Sequence, residues 1–219
     1  MFRIRLLALA VVAAALALPE MIRAQETVPT DVFKINYFDN TGVADSTVRI
    51  TNPGSDFTDR CAMIYVFSPD QQLKECCGCK ITPNGLLKLS VQANLTAKPA
   101  NGVTFTAGAI EIFSTPTAPA LPFAPRPAPP GSSPQCNPGD STFTPLPALR
   151  AWGSHVQDSG AITETEFLDA PFAFVGLGTL QIECLVIEGA AIAPITLGGT
   201  GSGQGLCNCT NQLTGAIDP

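Results

Sequence analysis

Five of the chain's eight cysteines crowd into two short motifs, Cys76-Cys77-Gly78-Cys79 and Cys207-Asn208-Cys209, while Cys61, Cys136 and Cys184 stand apart. Sulfur at this density can be cross-linked, can hold a soft metal ion, or can exchange electrons, and the redox compartment decides among these. Arg3 and Arg5 precede an apolar run over 6–18, and a short polar stretch ends at Ala24. That order predicts a secretory leader over 1–24, cut after Ala24. The run is shorter than the roughly 20 apolar residues of a membrane-spanning helix, and no second one follows. The expected location is therefore secreted, periplasmic or envelope-bound, where thiols are oxidised. All eight cysteines (Cys61, Cys76, Cys77, Cys79, Cys136, Cys184, Cys207 and Cys209) become candidates for four disulfides. The economical pairing joins Cys61 to a member of the first motif and Cys184 to a member of the second. Vicinal Cys76 and Cys77 on a strand point to opposite faces and should find different partners.

The alternative for the same sulfurs is an extracellular thiolate site for Cu(I) or Zn(II) built from Cys76, Cys77, Cys79, Cys207 and Cys209. Their spacings are not the paired two-residue gaps of zinc ribbons. Cys76 and Cys79 formally make a redox Cys-x-x-Cys, but no helix pattern follows it.

Other chemistries are thinly supplied. His155 is the single histidine, so a hydrolytic triad must use it with Ser154 or Asp158, and a strand would turn Ser154 the other way. Glu164 and Glu166 share a strand face and could form the acid/base pair of a carboxylate-dependent hydrolase, although sugar platforms are scarce with one Trp (Trp152) and two Tyr. The acidic loop 39–45 offers hard oxygens to calcium without the helix-loop-helix pattern. Alternate glycines Gly199, Gly201, Gly203 and Gly205 lack the lysine of a phosphate loop. Asn94-Leu95-Thr96 and Asn208-Cys209-Thr210 match the glycosylation sequon. The net charge is −6, and losing Arg3, Arg5 and Arg23 against Glu20 makes the mature chain more acidic still. Phosphate backbones repel such a chain, which sets nucleic acid aside as a partner. No catalytic residue and no cofactor is assigned.

The elements that must position these residues read as strands. Leu87, Leu89, Val91, Ala93 and Leu95 alternate with Lys88, Ser90, Gln92 and Asn94, giving one apolar face. Further strands are expected over 32–38, 46–51, 61–67, 73–81, 103–113, 149–156 and 161–167, separated by turn chemistry such as Asn52-Pro53-Gly54 and Thr82-Pro83-Asn84-Gly85. Leu177, Leu180, Cys184 and Ile187 fall on one helical stripe ending at Gly189, with a strand over 180–187 as the competing reading. More than half of the 20 prolines lie in 114–147, where proline favours extended, unpaired backbone. Cys136 would pin that excursion to the body. The organisation expected is a leader over 1–24, the first part of a β-sandwich over 25–113, a Pro-rich loop or linker over 114–147, and the remaining strands, one short helix and a Cys-rich end over 148–219. The fold class is all-β, an antiparallel immunoglobulin-like sandwich.

The stretch from Val48-Arg49-Ile50-Thr51-Asn52-Pro53-Gly54 through Cys61-Ala62-Met63-Ile64-Tyr65-Val66-Phe67 to the Cys76-Cys77-Gly78-Cys79 motif resembles a group of secreted bacterial proteins of unknown function. Leu149-Arg150-Ala151-Trp152, Thr163-Glu164-Thr165-Glu166-Phe167 and the terminal Cys-x-Cys resemble the same group. The resemblance implies export and a bacterial origin, and it implies no activity. Together the residues point to a disulfide-stabilised structural or binding module whose partner is a protein or cell surface. Edge pairing through a strand donated from Gln25 onward is compatible with it.

Overall fold

In the computed structural model, which describes residues 32–117, 129–133, 135–140, 145–170, 174–192 and 204–210, the strands form two antiparallel sheets. They are β1 (Phe33–Asp39), β2 (Thr47–Thr51), β3 (Arg60–Phe67), β4 (Leu73–Ile81), β5 (Leu86–Ser90), β6 (Ala107–Pro116), β7 (Arg150–Val156), β8 (Ile162–Glu166) and β9 (Leu168–Ala170). The first sheet runs β4-β3-β6-β1-β9 and the second β5-β2-β7-β8. The expected leader over 1–24 lies outside the described residues, as do Gly199, Gly201 and Gly203.

Alternation places Val48, Ile50, Leu89 and Ala151 of the second sheet against Ala62, Ile64, Val66, Ile110 and Ile112 of the first, and these close one core. The first sheet also buries its other face. Phe33, Cys61, Met63, Tyr65, Cys76 and Phe113 point outward into a second cluster with Leu177 and Cys184. Tyr65 and Phe113 stack there at 5.5 Å between ring centres. A strand covered on both sides has no polar face to display, so β3 reads as the unbroken apolar run Cys61 to Phe67, buried at six of its eight positions.

The cover is a helix, α1 (Phe174–Ile192). Its buried stripe is the expected one, with Leu177 and Cys184 in the cluster and Leu180 and Ile187 packed against it. The strand reading of 180–187 is thereby corrected, and the helix continues past Gly189, so that glycine is not its terminator. Two further expectations change. The strand read through Leu95 stops at Ser90, and Val91–Leu95 forms a single π-helical turn. Ser90 Oγ accepts from the Ala93 amide at 2.7 Å, and Asn94 Oδ1 accepts from the Ser90 amide at 2.8 Å. Val91 and Leu95 still enter the core, because positions four apart share a face in a strand and nearly so in a helical turn. The short β9 was not foreseen. The chain crosses from the second sheet to the first at Phe167, which is buried in the common core.

The described part of the Pro-rich excursion is fastened to the outer side of β4 and β3. Ser133 donates its amide to the Gly78 carbonyl at 2.8 Å, Ser132 Oγ accepts from the Gly78 amide at 2.9 Å, and Tyr65 Oη donates to the Pro138 carbonyl at 2.6 Å.

Candidate functional site

All eight cysteines are paired: Cys61 with Cys136, Cys76 with Cys184, Cys77 with Cys207 and Cys79 with Cys209. The pairing expected within each portion of the chain is corrected, since every bridge joins β3 or β4 to a residue within or beyond the Pro-rich stretch: Cys136 inside it, and Cys184, Cys207 and Cys209 after it. The reason is spatial. α1 crosses the outer face over β4 and brings Cys184 above Cys76, with 6.0 Å between Cα atoms. The segment 205–209 runs beside β4 in a parallel bridge, where Cys76 donates its amide to the Gly205 carbonyl at 2.9 Å. Two Cys-x-Cys units side by side then align, with Cα separations of 5.2 and 5.4 Å, and become two rungs of one ladder. Gly78 between the β4 rungs is required by crowding, because a Cβ there would lie 2.1 Å from the Cys136 carbonyl oxygen.

This pairing sorts the sulfur alternatives. Cys76 lies on the opposite face of β4 from Cys77 and Cys79, so the five-cysteine metal set does not assemble as one site, and Cys76 and Cys79 cannot act as one redox pair. Cys77, Cys79 and Cys209 are the one group of three or more metal-ligand atoms together among the described residues, within 4.8 Å of one another. As disulfides they present no thiolate to a metal.

The carboxylate and histidine candidates are engaged elsewhere. Ser154 Oγ accepts from the Thr47 amide at 2.9 Å on the outer face of β7, whereas His155 Nε2 meets Thr165 Oγ1 at 3.0 Å on the inner side. Asp158 sits in the exposed β7–β8 turn. Glu164 forms an ion pair with Arg49, and Glu166 forms one with Arg150 at 3.4 Å, all on an exposed sheet face. In the 39–45 loop, the Thr41 hydroxyl and then the Thr41 amide, the latter 2.8 Å from Asp39 Oδ1, hold the Asp39 carboxyl below its usual range. Asp45 Oδ1 accepts from the Gln92 amide at 2.9 Å and ties the loop to the π-helical turn. Asn94 is buried, and its Nδ2 donates to the Thr210 carbonyl at 2.9 Å, so the folded chain withholds that sequon.

Two acidic residues were missed. Glu75 on β4 is fully buried; Oε1 accepts from the Lys98 amide at 2.6 Å while Oε2 has no partner among the described residues, and burial pushes its pKa up to about 8. Glu111 on β6 faces α1 across a groove of about 980 Å³. Burial raises its pKa to about 7, and no donor among the described residues reaches its carboxylate. The groove is walled by Phe33, Tyr37, Phe67, Leu177 and Leu180, and its remaining charges are Asp39 and Glu183. A glutamate inside the run Ala107-Gly108-Ala109-Ile110-Glu111-Ile112-Phe113 was a legible signal, because a charged residue in a covered strand needs a reason. Among the described residues, no helix is long and apolar enough to cross a membrane. Compared with known proteins, the chain matches no family model, no curated protein and no solved structure.

Proposed function

We propose that the chain is an exported, disulfide-stapled binding module, of the secreted bacterial group its motifs resemble, whose strands β2, β3, β5 and β6 keep the immunoglobulin pairing. The pairing of β2 with β5 and of β3 with β6 supports that reading, since the second strand of an immunoglobulin domain lies beside the fifth and the third beside the sixth. The flanking strands are exchanged: β1 lies beside β6 and β7 beside β2, the reverse of the immunoglobulin arrangement. The observation that carries the reading is that every cysteine is spent in a bridge, a state that persists only in an oxidising compartment. Binding is favoured over catalysis because His155, Ser154, Glu164 and Glu166 are each occupied in structural pairs. The test is a thiol titration of the denatured, unreduced exported protein, followed by peptide mapping. No free thiol and the four pairs above are expected.

The convergence of Cys77, Cys79 and Cys209 favours one second reading. Once reduced, these three sulfurs would offer thiolate ligands to Cu(I) or Zn(II). Exported protein with free thiols and stoichiometric metal would replace the first reading with this one.

A further inference from the structure

We infer that the groove between α1 and the outer face of the first sheet binds a small organic amine, its apolar body against Phe33, Phe67, Leu177 and Leu180 and its ammonium on Glu111. This rests on the reading of the chain as a binding module and gives that module a ligand class.

Three features of the groove carry it. Its volume, about 980 Å³, and its largely apolar, aromatic lining with a few polar groups are those of a small-ligand site rather than of a packing defect. Among the described residues its charge has one sign: Asp39, Glu111 and Glu183 line it, and no described lysine, arginine or histidine does. Finally, Glu111 is a half-buried carboxylate with no described partner. Carboxylates withdrawn from water are normally paired, and a cation arriving from outside would meet that need. An ammonium supplies it with a charge-assisted hydrogen bond, and the aromatic rims favour a cation over a neutral group of the same shape. An anionic or zwitterionic ligand would meet three like charges.

The groups that face Glu111 set the pH dependence. Tyr65 on β3 is held neutral by burial, its pKa raised further by Glu188 and Glu111, and Asp39 on β1 and Glu183 on α1 add negative charge. Burial keeps part of the Glu111 population protonated near pH 7. Affinity for an amine should therefore rise as pH increases through about 7 and level off above it.

Calorimetry with 4-phenylbutylamine, against 4-phenylbutanol and 4-phenylbutyrate as shape-matched controls, tests the inference at a pH above about 7. The amine should bind about tenfold or more tightly than the alcohol, with the acid weakest. Glu111→Gln, which preserves shape, should erase the amine's advantage over the alcohol. Glu183→Gln, on an exposed residue, should weaken the amine about two- to threefold. Equal binding of amine and alcohol, or an unchanged amine affinity in Glu111→Gln, would overturn the inference. So would protein that ignores the amine but dimerises through this groove, or that captures only a lysine-bearing peptide. Unreduced peptide mapping of the same preparation separates the two readings: four intact bridges without amine binding defeat the amine alone, whereas free thiols defeat the stapled module.

Discussion

The two sheets share one core and differ in what covers their other faces. β3 in the first sheet is buried on both sides, and this sheet carries Cys61, Cys76, Cys77 and Cys79, hence one end of every bridge. In the second sheet β8 is exposed along its whole length, the outer face holds the Arg49–Glu164 and Arg150–Glu166 pairs, and no strand contains a cysteine. The contrast shows what the sulfur is for. The described pieces that lie against the first sheet are the Pro-rich excursion and one helix on its outer face and the 204–210 tail beside β4, whose Cys207 enters the common core, and none of them continues the sheet as a full ladder. Covalent links hold those pieces in place. The second sheet needs none, because strand pairing and a single apolar face suffice.

Removing both rungs of the ladder should break this contrast most strongly. Cys76–Cys184 already joins β4 to α1, so the rungs restrict mainly the stretch between Cys184 and Cys207 rather than the full 130-residue separation. A loop of that shorter size corresponds to roughly 3 kcal/mol in the chain-entropy model. The quadruple variant Cys77→Ala, Cys79→Ala, Cys207→Ala, Cys209→Ala should lose about 4 kcal/mol once lost packing is added. Removing either rung alone should cost about 1 kcal/mol, because the remaining rung still closes the same loop. Denaturant unfolding of the three variants measures this, and two single-rung losses that sum to the quadruple loss would mean that the rungs act independently.

A pair of outward-facing substitutions, one on each sheet, sharpens the comparison. Met63 on β3 is buried under the cover, and Met63→Ala should cost about 3 kcal/mol. Arg49 on β2 faces solvent beside Glu164, and Arg49→Ala should cost about 0.5 kcal/mol or less. Comparable losses at the two positions would show that the outer faces are not differently covered.

That difference was partly legible in the sequence. Apolar runs and the turn residues between them located β1 to β4, β7 and β8 to within a residue or so, and the helical stripe through Cys184 was read correctly. The run Cys61 to Phe67 showed no polar face, which is the mark of a strand covered twice, but nothing in it said by what. Disulfide partners were illegible for the same reason: Cys76 meets Cys184 only because α1 crosses β4, and the tail rungs meet only because 205–209 lies parallel to it. The turn at Val91–Leu95 was hidden because its apolar positions satisfy strand and helical spacing alike. Glu111 appeared as one polar position in a strand, and it became a candidate site only once α1 enclosed it.

Acidity gives a third separation, since the clearest buried carboxylate also belongs to the first sheet. Folding raises the Glu75 pKa from 4.5 to about 8, so the folded chain keeps a proton that the unfolded chain has lost between those values. For this group stability is greatest below about pH 4.5 and declines as pH rises through about 8. Glu75→Gln can still accept from the Lys98 amide and cannot ionise. It should match the parent near pH 4.5 and exceed it above about pH 8 by on the order of 2 kcal/mol. Thermal melts across that range check the sign, and a variant that loses stability at alkaline pH would show that the carboxylate is ionised and satisfied where it lies.

The smallest expected effect is the most informative about the exposed sheet. Glu166 pairs with Arg150 across β8 and β7 at 3.4 Å, with both side chains more than half exposed. Water screens such a pair, so Glu166→Gln should change stability by no more than about 0.5 kcal/mol. Glu164 on the same strand is held by Arg49, so each carboxylate is occupied by an arginine. A glycosidase-type pair instead needs both carboxylates free to flank a sugar. Glu166→Gln should therefore leave any turnover of the parent protein on glycoside substrates unchanged. Loss of such a turnover in a variant of unaltered stability would make the uncovered face of the second sheet the working surface of the molecule, and the contrast between the sheets would then be one of chemistry rather than of cover.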